Sequence, residues 1–555
     1  MNKRINAVLI LFMALFFVNS VIFAETRSSC DKKQEKTRKT ILFVPIESRP
    51  VTSEQTIKTI ALLGYKVLTP PKYYLGTKTY SGNPDGFWNW LYKTTEENQK
   101  DIMAVVLSCD SMVYGSLVAS RVHDYSNEVI MERVQNFAEY HKRFPKIKVY
   151  GYSSIMRTMR WTKSGVEPKI YEKYGDKIFR YTVLLDKREL GLASYKEKLE
   201  LLKLGVTIPK DYLNDWMEHR DKNFVANKAM MGLAKNGAFT YLAFGRDDNS
   251  EFCQTHRESR KLSEYVKEIQ LENFQNIAGL DEFGLLLAMR AINEAAGEKP
   301  TIYVEFNIGV GGNTIPMFSD EPISKTIKDH IQCVGGTEVE SPVGADLVLL
   351  VNTPEDGKSI EHYQITKKGM QKPEAEKKPE LRKNQIKSAE AFVRTVENSL
   401  RAGYPTAVGD ISHPNGSDDA VMKELRVRNL LFKLRSYAGW NTATNSTGFA
   451  LCQGLIANKL SVYGRVYLLL VRYIDDWLYQ RLVRTVVMKD LEKVGQKYIF
   501  DFADKKQVIE QDINELMQAA LDICLPPFEF LEDINFFNPW ERMFEVGIRF
   551  NRFNN

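Results

Sequence analysis

The fold is decided by the stretch ILFVPIESRPVTSEQTIKTIALLGYKVLT, residues 41–69. It opens with an apolar run that ends in polar residues, continues from Ser53 to Leu63 with apolar positions at helical spacing, and closes with a second apolar run before Pro70. This order predicts a strand, a helix and a second strand that is parallel to the first.

The same alternation continues along the chain. Further strand-like runs lie at 102–108, 147–152, 239–244, 275–280, 301–306, 346–351 and 405–409. Repeated strand–helix units are typical of a parallel sheet covered by helices. The sequence therefore predicts an α/β fold, either a (β/α) barrel or two tandem doubly wound parallel-sheet domains, and both arrangements remain open at this point.

The domain organisation follows from changes in composition. We expect a first α/β region at 40–300, a second at 301–455 and a helical C-terminal region at 456–555. A stretch rich in Lys, Glu and Leu at 160–238 predicts a helical insertion that caps the first region. Lys, Glu and Pro dominate 354–385, which predicts an exposed, mobile charged loop.

The N-terminus has the parts of an export signal. Lys3 and Arg4 precede an apolar stretch that ends near Ala24, which predicts a signal peptide at 1–24 and a linker at 25–39. The apolar stretch is also nearly long enough for an uncleaved membrane anchor. We expect a secreted or cell-envelope protein without membrane insertion after signal removal. Removal lowers the formal charge from +6 to +4, which does not favour nucleic acid as a partner.

Several familiar catalytic and metal signatures are absent from the sequence. It contains no P-loop, no HExxH and no GxSxG motif. Its six cysteines are widely scattered and form no CxxC pair, which excludes a typical zinc ribbon and predicts mostly buried thiols.

Two acidic clusters are the strongest functional signal. The stretches YLAFGRDDN, residues 241–249, and IAGLDEFG, residues 277–284, each end a predicted strand in adjacent carboxylates. Residues just past the carboxyl ends of parallel strands line the ligand crevice in α/β folds. Neighbouring strands lie about 4.8 Å apart, so the two clusters suit a glycosidase pair at about 5–5.5 Å or 6.5–9.5 Å. We expect the catalytic residues to be Asp247, Asp248, Asp281 and Glu282.

The roles within this set follow from glycosidase chemistry. Asp247 or Asp248 would be the general acid, and Asp281 or Glu282 the nucleophile, base or orienting group. A vicinal acidic pair also suits a substrate-assisted mechanism.

The same acids have a structural interpretation. Asp and Asn just before a helix are good N-caps, and both clusters precede predicted helices. Another acidic pair, Asp475 and Asp476, lies within the helix predicted at 463–487, where we expect it to tether that helix to the main body.

Other predicted strands also end in polar residues or tryptophan. Carboxylates and amides bind pairs of hydroxyl groups, and an indole offers a flat apolar face to a sugar ring. We therefore predict a substrate-binding set around the acids: Glu47, Arg49, Asp110, Arg121, Arg246, Asn249, Asp410, Trp440, Asn441 and Asn445.

These residues favour an exported hydrolase that acts on a carbohydrate or cell-wall glycan without a cofactor. One alternative is a metal-dependent phospho- or amidohydrolase, since clustered Asp, Glu and Asn side chains suit a divalent cation such as calcium, magnesium or manganese. Another alternative is a non-enzymatic exported sugar-binding or envelope protein. The expected partner is a small-molecule or glycan substrate, and the oligomeric state is left open.

Several distinctive stretches extend over most of the chain and read VPIESRPV (44–51), LTPP (68–71) with LG (75–76), DSMVYGSLVASR (110–121), GRDDN (245–249), GWNTATN (439–445) and DDW (475–477). Together they resemble the bacterial family DUF4127, a domain of unknown function. Glu47 stands where we expect an aspartate in that family, which keeps the charge and lengthens the side chain. The resemblance implies membership but no particular reaction.

Overall fold

The computed structural model describes residues 39–158, 166–167, 171, 173–359, 364–366, 369–371, 379–528 and 531–551. Thr40–Asn555 forms one compact unit. The predicted signal peptide and nearly all of the predicted linker lie outside the described residues, as do parts of the predicted charged loop.

The first region is built on a parallel sheet of six strands. The strands lie in the order β2-β1-β3-β4-β5-β6, and every neighbouring pair is parallel. Their bounds are β1 Thr40–Val44, β2 Lys66–Leu68, β3 Ile102–Ser108, β4 Val149–Ile155, β5 Tyr241–Arg246 and β6 Phe274–Ala278. The apolar runs of the sequence become the buried central strands, because both faces of a parallel sheet are covered by helices.

Helices connect these strands, and several begin at a capping side chain. Asn83 accepts a hydrogen bond from the Gly86 amide, and Ser194 forms a reciprocal capping box with Glu197. The helices are α1 Glu54–Leu62, α2 Pro84–Asn98, α3 Cys109–Tyr114, α4 Ala119–Val122, α5 Asn127–Arg143, α6 Gly175–Glu189, α7 Tyr195–Thr207, α8 Lys210–Lys235, α9 Gln254–Ile269 and α10 Phe283–Ala296. Helices α6 to α8 form the described part of the insertion between β4 and β5.

The second region is built on a parallel sheet of five strands. Its order is β13-β12-β9-β7-β8, with β7 Thr301–Phe306, β8 Thr337–Val339, β9 Leu347–Asn352, β12 Thr406–Asp410 and β13 Ser436–Ala438. A short antiparallel pair, β10 Gln364–Thr366 and β11 Gly369–Gln371, lies within the predicted charged loop. The helices are α11 Ile323–Cys333, α12 Pro379–Arg401, α13 Asp419–Val427 and α14 Ala443–Ile456.

Both sheets have the same topology. In each, the second strand flanks one side of the first strand, and the third and later strands continue on the other side. This is a doubly wound arrangement, repeated in tandem. The tandem prediction is confirmed, and the barrel alternative is wrong because the two sheets are open and separate.

The C-terminal region is helical but ends in a hairpin. The helix predicted at 463–487 is α15 Val462–Arg472 followed by a π-helix, Tyr473–Val483. Later elements are α16 Arg484–Val494, α17 Lys497–Phe500, α18 Lys506–Cys524, and the antiparallel strands β14 Ile534–Phe537 and β15 Gly547–Phe550.

A shared apolar core joins the two sheets. Buried side chains of β1 and α10 from the first region pack in one cluster with those of β9 and α14 from the second. The five cysteines among the described residues are free and buried, as predicted. Within the described chain, no helix combines the length and apolar character needed to cross a membrane.

Candidate active site

The first sheet changes winding direction between β1 and β3. From this point the chain builds outward to β2 on one side and to β4 on the other. Ligands of open α/β sheets bind outside the carboxyl ends of the strands at such a switch point. Glu47 and Arg49 follow β1 there, and Asp110 follows β3.

Arg49 and Asp281 together join three loops at this edge. Its Nε donates a hydrogen bond to Glu47, and its Nη2 donates to Asp281 Oδ1 at 2.7 Å. Asn441, which follows β13 of the second sheet, donates from Nδ2 to Asp281 Oδ2 at 3.2 Å. Both oxygens of Asp281 therefore receive a donor, one from each region of the protein.

The position of Asp281 depends on the turn after β6. Three strands separate β6 from β1, but α10 returns across the sheet, and Gly284 lies against the ring of Phe43 in β1. Gly279 begins this turn with φ +98°, and a Cβ there would lie 2.5 Å from Thr444 Oγ1 of α14. Glycine is required at this position because the backbone is left-handed and α14 approaches closely.

Arg121 and Arg157 form a second charged group beside the first. Arg121 donates to Asp247 Oδ2 and lies 3.7 Å from Glu167. Arg157 donates to Glu167 at 2.6 Å and to Asp248 at 2.7 Å. The two adjacent aspartates after β5 are thus each held by a different guanidinium.

Burial makes two carboxyl groups at this edge weaker acids than usual. Burial raises the pKa of Asp247 to about 6, against the opposing effect of Arg121, and the charges of Asp248 and Asp281 raise it further. Burial also raises the pKa of Asp281 to about 6, although Arg49 acts in the opposite direction. Raised carboxyl pKa values near neutrality are typical of acid/base sites.

Asp110 has a pKa similar to those of Asp247 and Asp281, but its carboxyl is less accessible to solvent. Burial raises its pKa to about 6, while two hydrogen bonds from Ser154 lower it. Asp110 as a whole residue is 1% exposed. The side chains of Asp247 and Asp281 are 12% and 13% exposed, and the side chain of Asp248 is 29% exposed. Access to solvent therefore distinguishes these three carboxylates from the buried Asp110.

Neither acidic cluster provides a side-chain cap to a helix. Helix α9 begins at Gln254 with Cys253 at its N-cap, and α10 begins at Phe283 with Glu282 at its N-cap, in each case without a side-chain capping hydrogen bond. The capping interpretation is therefore wrong for both clusters.

Three predicted site residues are directed elsewhere. Glu282 is buried and lies 3.3 Å from His330 Nε2 of α11. Arg246 forms ion pairs with Asp320 and Glu321 in the loop after β7. Asn249 accepts a hydrogen bond from the Cys253 thiol and is buried. The structure does not bring these side chains to the group around Arg49 and Arg121.

Asp410 belongs to the edge of the second sheet. It accepts hydrogen bonds from Asn352 at 2.8 Å, the Asp418 amide at 2.7 Å and Tyr437 at 2.8 Å. Burial raises its pKa to about 6, and the neighbouring Asp418 raises it further. Asn307 extends this network by donating to Asn352.

Two residues of the predicted substrate-binding set are enclosed by protein. The indole of Trp440 is 1% exposed and packs against Phe544, with ring centroids 5.5 Å apart. Asn445 is fully buried near the start of α14, and its side-chain amide atoms have no hydrogen-bond partner among the described residues.

The C-terminal region supplies contacts that the sequence did not predict. The Trp540 indole lies 5.7 Å from the Arg49 guanidinium carbon and donates to Ser48 Oγ at 2.9 Å. Arg157 and Glu167 were also missed. Arg157 lies two residues past the end of β4, so the expectation that residues after a strand line the crevice could have identified it. Nothing in the sequence near Trp540 relates that residue to β1.

The acidic pair of the π-helix ties this helix to both regions, as predicted. Asp475 accepts from Gln55 of α1 at 3.1 Å, and Asp476 accepts from the Gly439 amide at 2.7 Å. Both carboxyls are buried, and burial raises the pKa of Asp475 to about 6 and that of Asp476 to about 7.

Comparison with known proteins gives the family. The model of the protein family of unknown function DUF4127 matches residues 41–549, so the chain belongs to that family. No curated protein and no solved structure matches the chain.

In the part of the chain that the structure describes, no three His, Cys, Asp or Glu side chains are placed to hold a metal ion.

Proposed function

We propose that the protein is an exported hydrolase that acts on a carbohydrate or cell-wall glycan, with Asp247 and Asp281 as its two catalytic carboxyls. The observation that carries this proposal is the shared setting of these two carboxyls. They follow adjacent strands, each contacts an arginine, each has a pKa raised to about 6, and each is partly open to solvent.

Asp247 is suited to the role of general acid. It receives a hydrogen bond from Arg121 at Oδ2, while Oδ1 receives none from the described residues. A pKa of about 6 keeps a useful fraction of the group protonated close to neutral pH. Asp247 would donate its proton to the leaving oxygen of the glycosidic bond.

Asp281 is suited to the role of nucleophile or base. Its two oxygens are fixed by separate donors, Arg49 and Asn441, which stabilise the ionised form and restrain the rotation of the carboxylate. In a retaining reaction Asp281 would attack the anomeric carbon, and in an inverting reaction it would take a proton from the attacking water.

Asp248 and Arg157 complete the proposed site. Asp248 has the most exposed carboxylate of the group and a left-handed backbone with φ 34°, and Arg157 holds its side chain. Unusual backbone conformations cluster at functional sites, where surrounding contacts hold them. Asp248 would accept hydrogen bonds from substrate hydroxyl groups.

A panel of chromogenic glycosides and purified cell-wall glycans tests the proposal. We expect turnover of at least one member, with losses of about 10³-fold in kcat for Asp247→Asn and Asp281→Asn. Glu200→Gln is the matched control, since Glu200 forms an equally short ion pair with Arg180 in the helical insertion. Product stereochemistry measured by NMR then distinguishes nucleophile from base.

Three outcomes would contradict the proposal. Unchanged turnover in both aspartate variants would remove these carboxyls from the reaction. Turnover abolished by a chelator would favour the metal-dependent alternative. Glycan binding without turnover, weakened by Asp247→Asn, would identify a binding protein.

A further inference from the structure

Helix α7 of the insertion exposes an apolar surface. Tyr195, Leu199, Leu202 and Val206 are 76%, 50%, 66% and 84% exposed. At 100° per residue their side chains fall within an arc of about 60° on the helix. We call these four residues the α7 stripe, and it runs for roughly 17 Å along the helix axis.

The charged residues of α7 that flank the α7 stripe are all lysines. Lys198 lies on one side and Lys196 and Lys203 lie on the other, and all three are exposed. No carboxylate in the described ranges lies within ion-pair distance of these lysines. Long lysine side chains can lay their methylene groups along an apolar surface while the charge stays in water.

The acidic residues of α7 point the other way. Glu197 pairs with Lys187 at 2.9 Å, and Glu200 pairs with Arg180 at 2.7 Å, so both are neutralised against α6. Leu201 is buried on the same inner side. The helix therefore separates its charges, with the acids paired to α6 and the lysines exposed to solvent.

We propose that the α7 stripe docks the protein on the surface of an anionic lipid membrane. An apolar stripe with flanking lysines is the pattern of helices that lie in the membrane interface, and Tyr195 is a residue type favoured at that depth. Leu192, three residues before α7, is also 60% exposed.

Charge favours a membrane over a second copy of the chain. Two stripes packed against each other would bring the lysines of both copies together along each margin without acidic partners. Anionic headgroups, in contrast, attract lysines. Each lysine near the membrane surface should raise the partition coefficient of the protein onto the membrane about fivefold.

Vesicle sedimentation tests this docking. The probe is the chain beginning at Glu25, which contains the compact unit and lacks the predicted signal, mixed with vesicles of phosphatidylcholine alone or of equimolar phosphatidylcholine and phosphatidylglycerol. We expect binding to the anionic vesicles only. L199S/L202S should lower the partition coefficient about tenfold, and K196E/K198E/K203E at least about 100-fold.

Two control variants remove exposed apolar area or reverse charge at positions outside the α7 stripe and its lysines. V427S/V508S removes residues that are 74% and 64% exposed on other helices, and K58E/K66E/K299E reverses three exposed lysines. Both should bind like the wild type. Equal losses in test and control variants, or equal binding to both vesicle types, would overturn the proposal. A dimer in analytical ultracentrifugation that L199S/L202S abolishes would assign the stripe to a second copy instead.

Discussion

The carboxyl edges of the two sheets differ although the sheets share one topology. At the first, Asp247 and Asp281 face arginines and remain partly open to solvent. At the second, Asp410 is enclosed by three hydrogen-bond donors and is 1% exposed. The doubly wound fold supplies an edge, and the side chains decide whether the carboxyls at that edge stay partly open to solvent or are enclosed by hydrogen-bond donors.

The largest effect that tests this contrast should come from Arg49. Arg49→Gln leaves Glu47 and Asp281 without their shared cation in a buried setting. We expect the free energy of unfolding at neutral pH to fall by about 4 kcal/mol in chemical denaturation.

Arg180→Gln is the control for this substitution. Arg180 and Glu200 are each 41% exposed, so the loss should be below about 1 kcal/mol. Equal losses in the two variants would show that the ion pairs of the first edge are no more critical than a surface pair.

A second effect concerns the pH dependence of stability. The folded-state pKa of Asp247 is about 6, above its ordinary value of 3.8, so protonation stabilises the folded protein at low pH and this stabilisation is lost as the pH rises through 6. Asp247→Asn removes the charge. Its stability relative to the wild type should therefore rise by about 2 kcal/mol between about pH 4.5 and pH 8. A difference that does not change with pH would contradict the raised pKa.

At pH 5 the two edges should respond differently to the same substitution. Asp410→Asn places an amide NH2 where an oxygen accepts hydrogen bonds, so we expect a loss of about 1.5 kcal/mol. Asp247→Asn should be nearly neutral there, because an amide oxygen can still accept from Arg121. Thermal unfolding of both variants at this pH makes the comparison, and equal losses would remove the distinction between an open and a closed edge.

The smallest effect should come from the C-terminal region. Trp540→Phe keeps a ring beside Arg49 but removes the hydrogen bond to Ser48. We expect a stability loss of about 1 kcal/mol and a rise in KM rather than a fall in kcat on any substrate found. A loss of kcat as large as that of Asp247→Asn would place Trp540 in the chemistry itself.

Much of the fold could be predicted from the sequence, because strand positions depend on local apolar runs. The runs at 102–108 and 301–306 coincide with β3 and β7. The choice between a barrel and two sheets could not be made, because it depends on which distant strands pair. Strands β8 and β13 were missed because their three-residue sequences, TEV and SYA, contain no apolar run.

The site was predictable in part for a similar reason. Arg49, Asp247 and Asp281 each follow a predicted strand, and this predicted that they lie near one edge of the sheet. The sequence did not indicate the direction of each side chain. Asp281 and Glu282 are adjacent, and yet one meets Arg49 while the other meets His330 in the core. Side-chain direction is set by the turn before α10 and by the approach of α14, both of which are tertiary features.

The most direct test of an acid/base site at the first edge is the pH dependence of kcat/KM, measured on the best substrate of the glycan panel. Two carboxyls with pKa values of about 6, one acting ionised and the other protonated, predict a narrow bell centred near pH 6. The alkaline limb should disappear in Asp247→Asn, whose residual rate no longer depends on that proton. A wild-type profile that stays flat between about pH 5 and pH 8 would contradict the assignment of Asp247 and Asp281 as the catalytic pair.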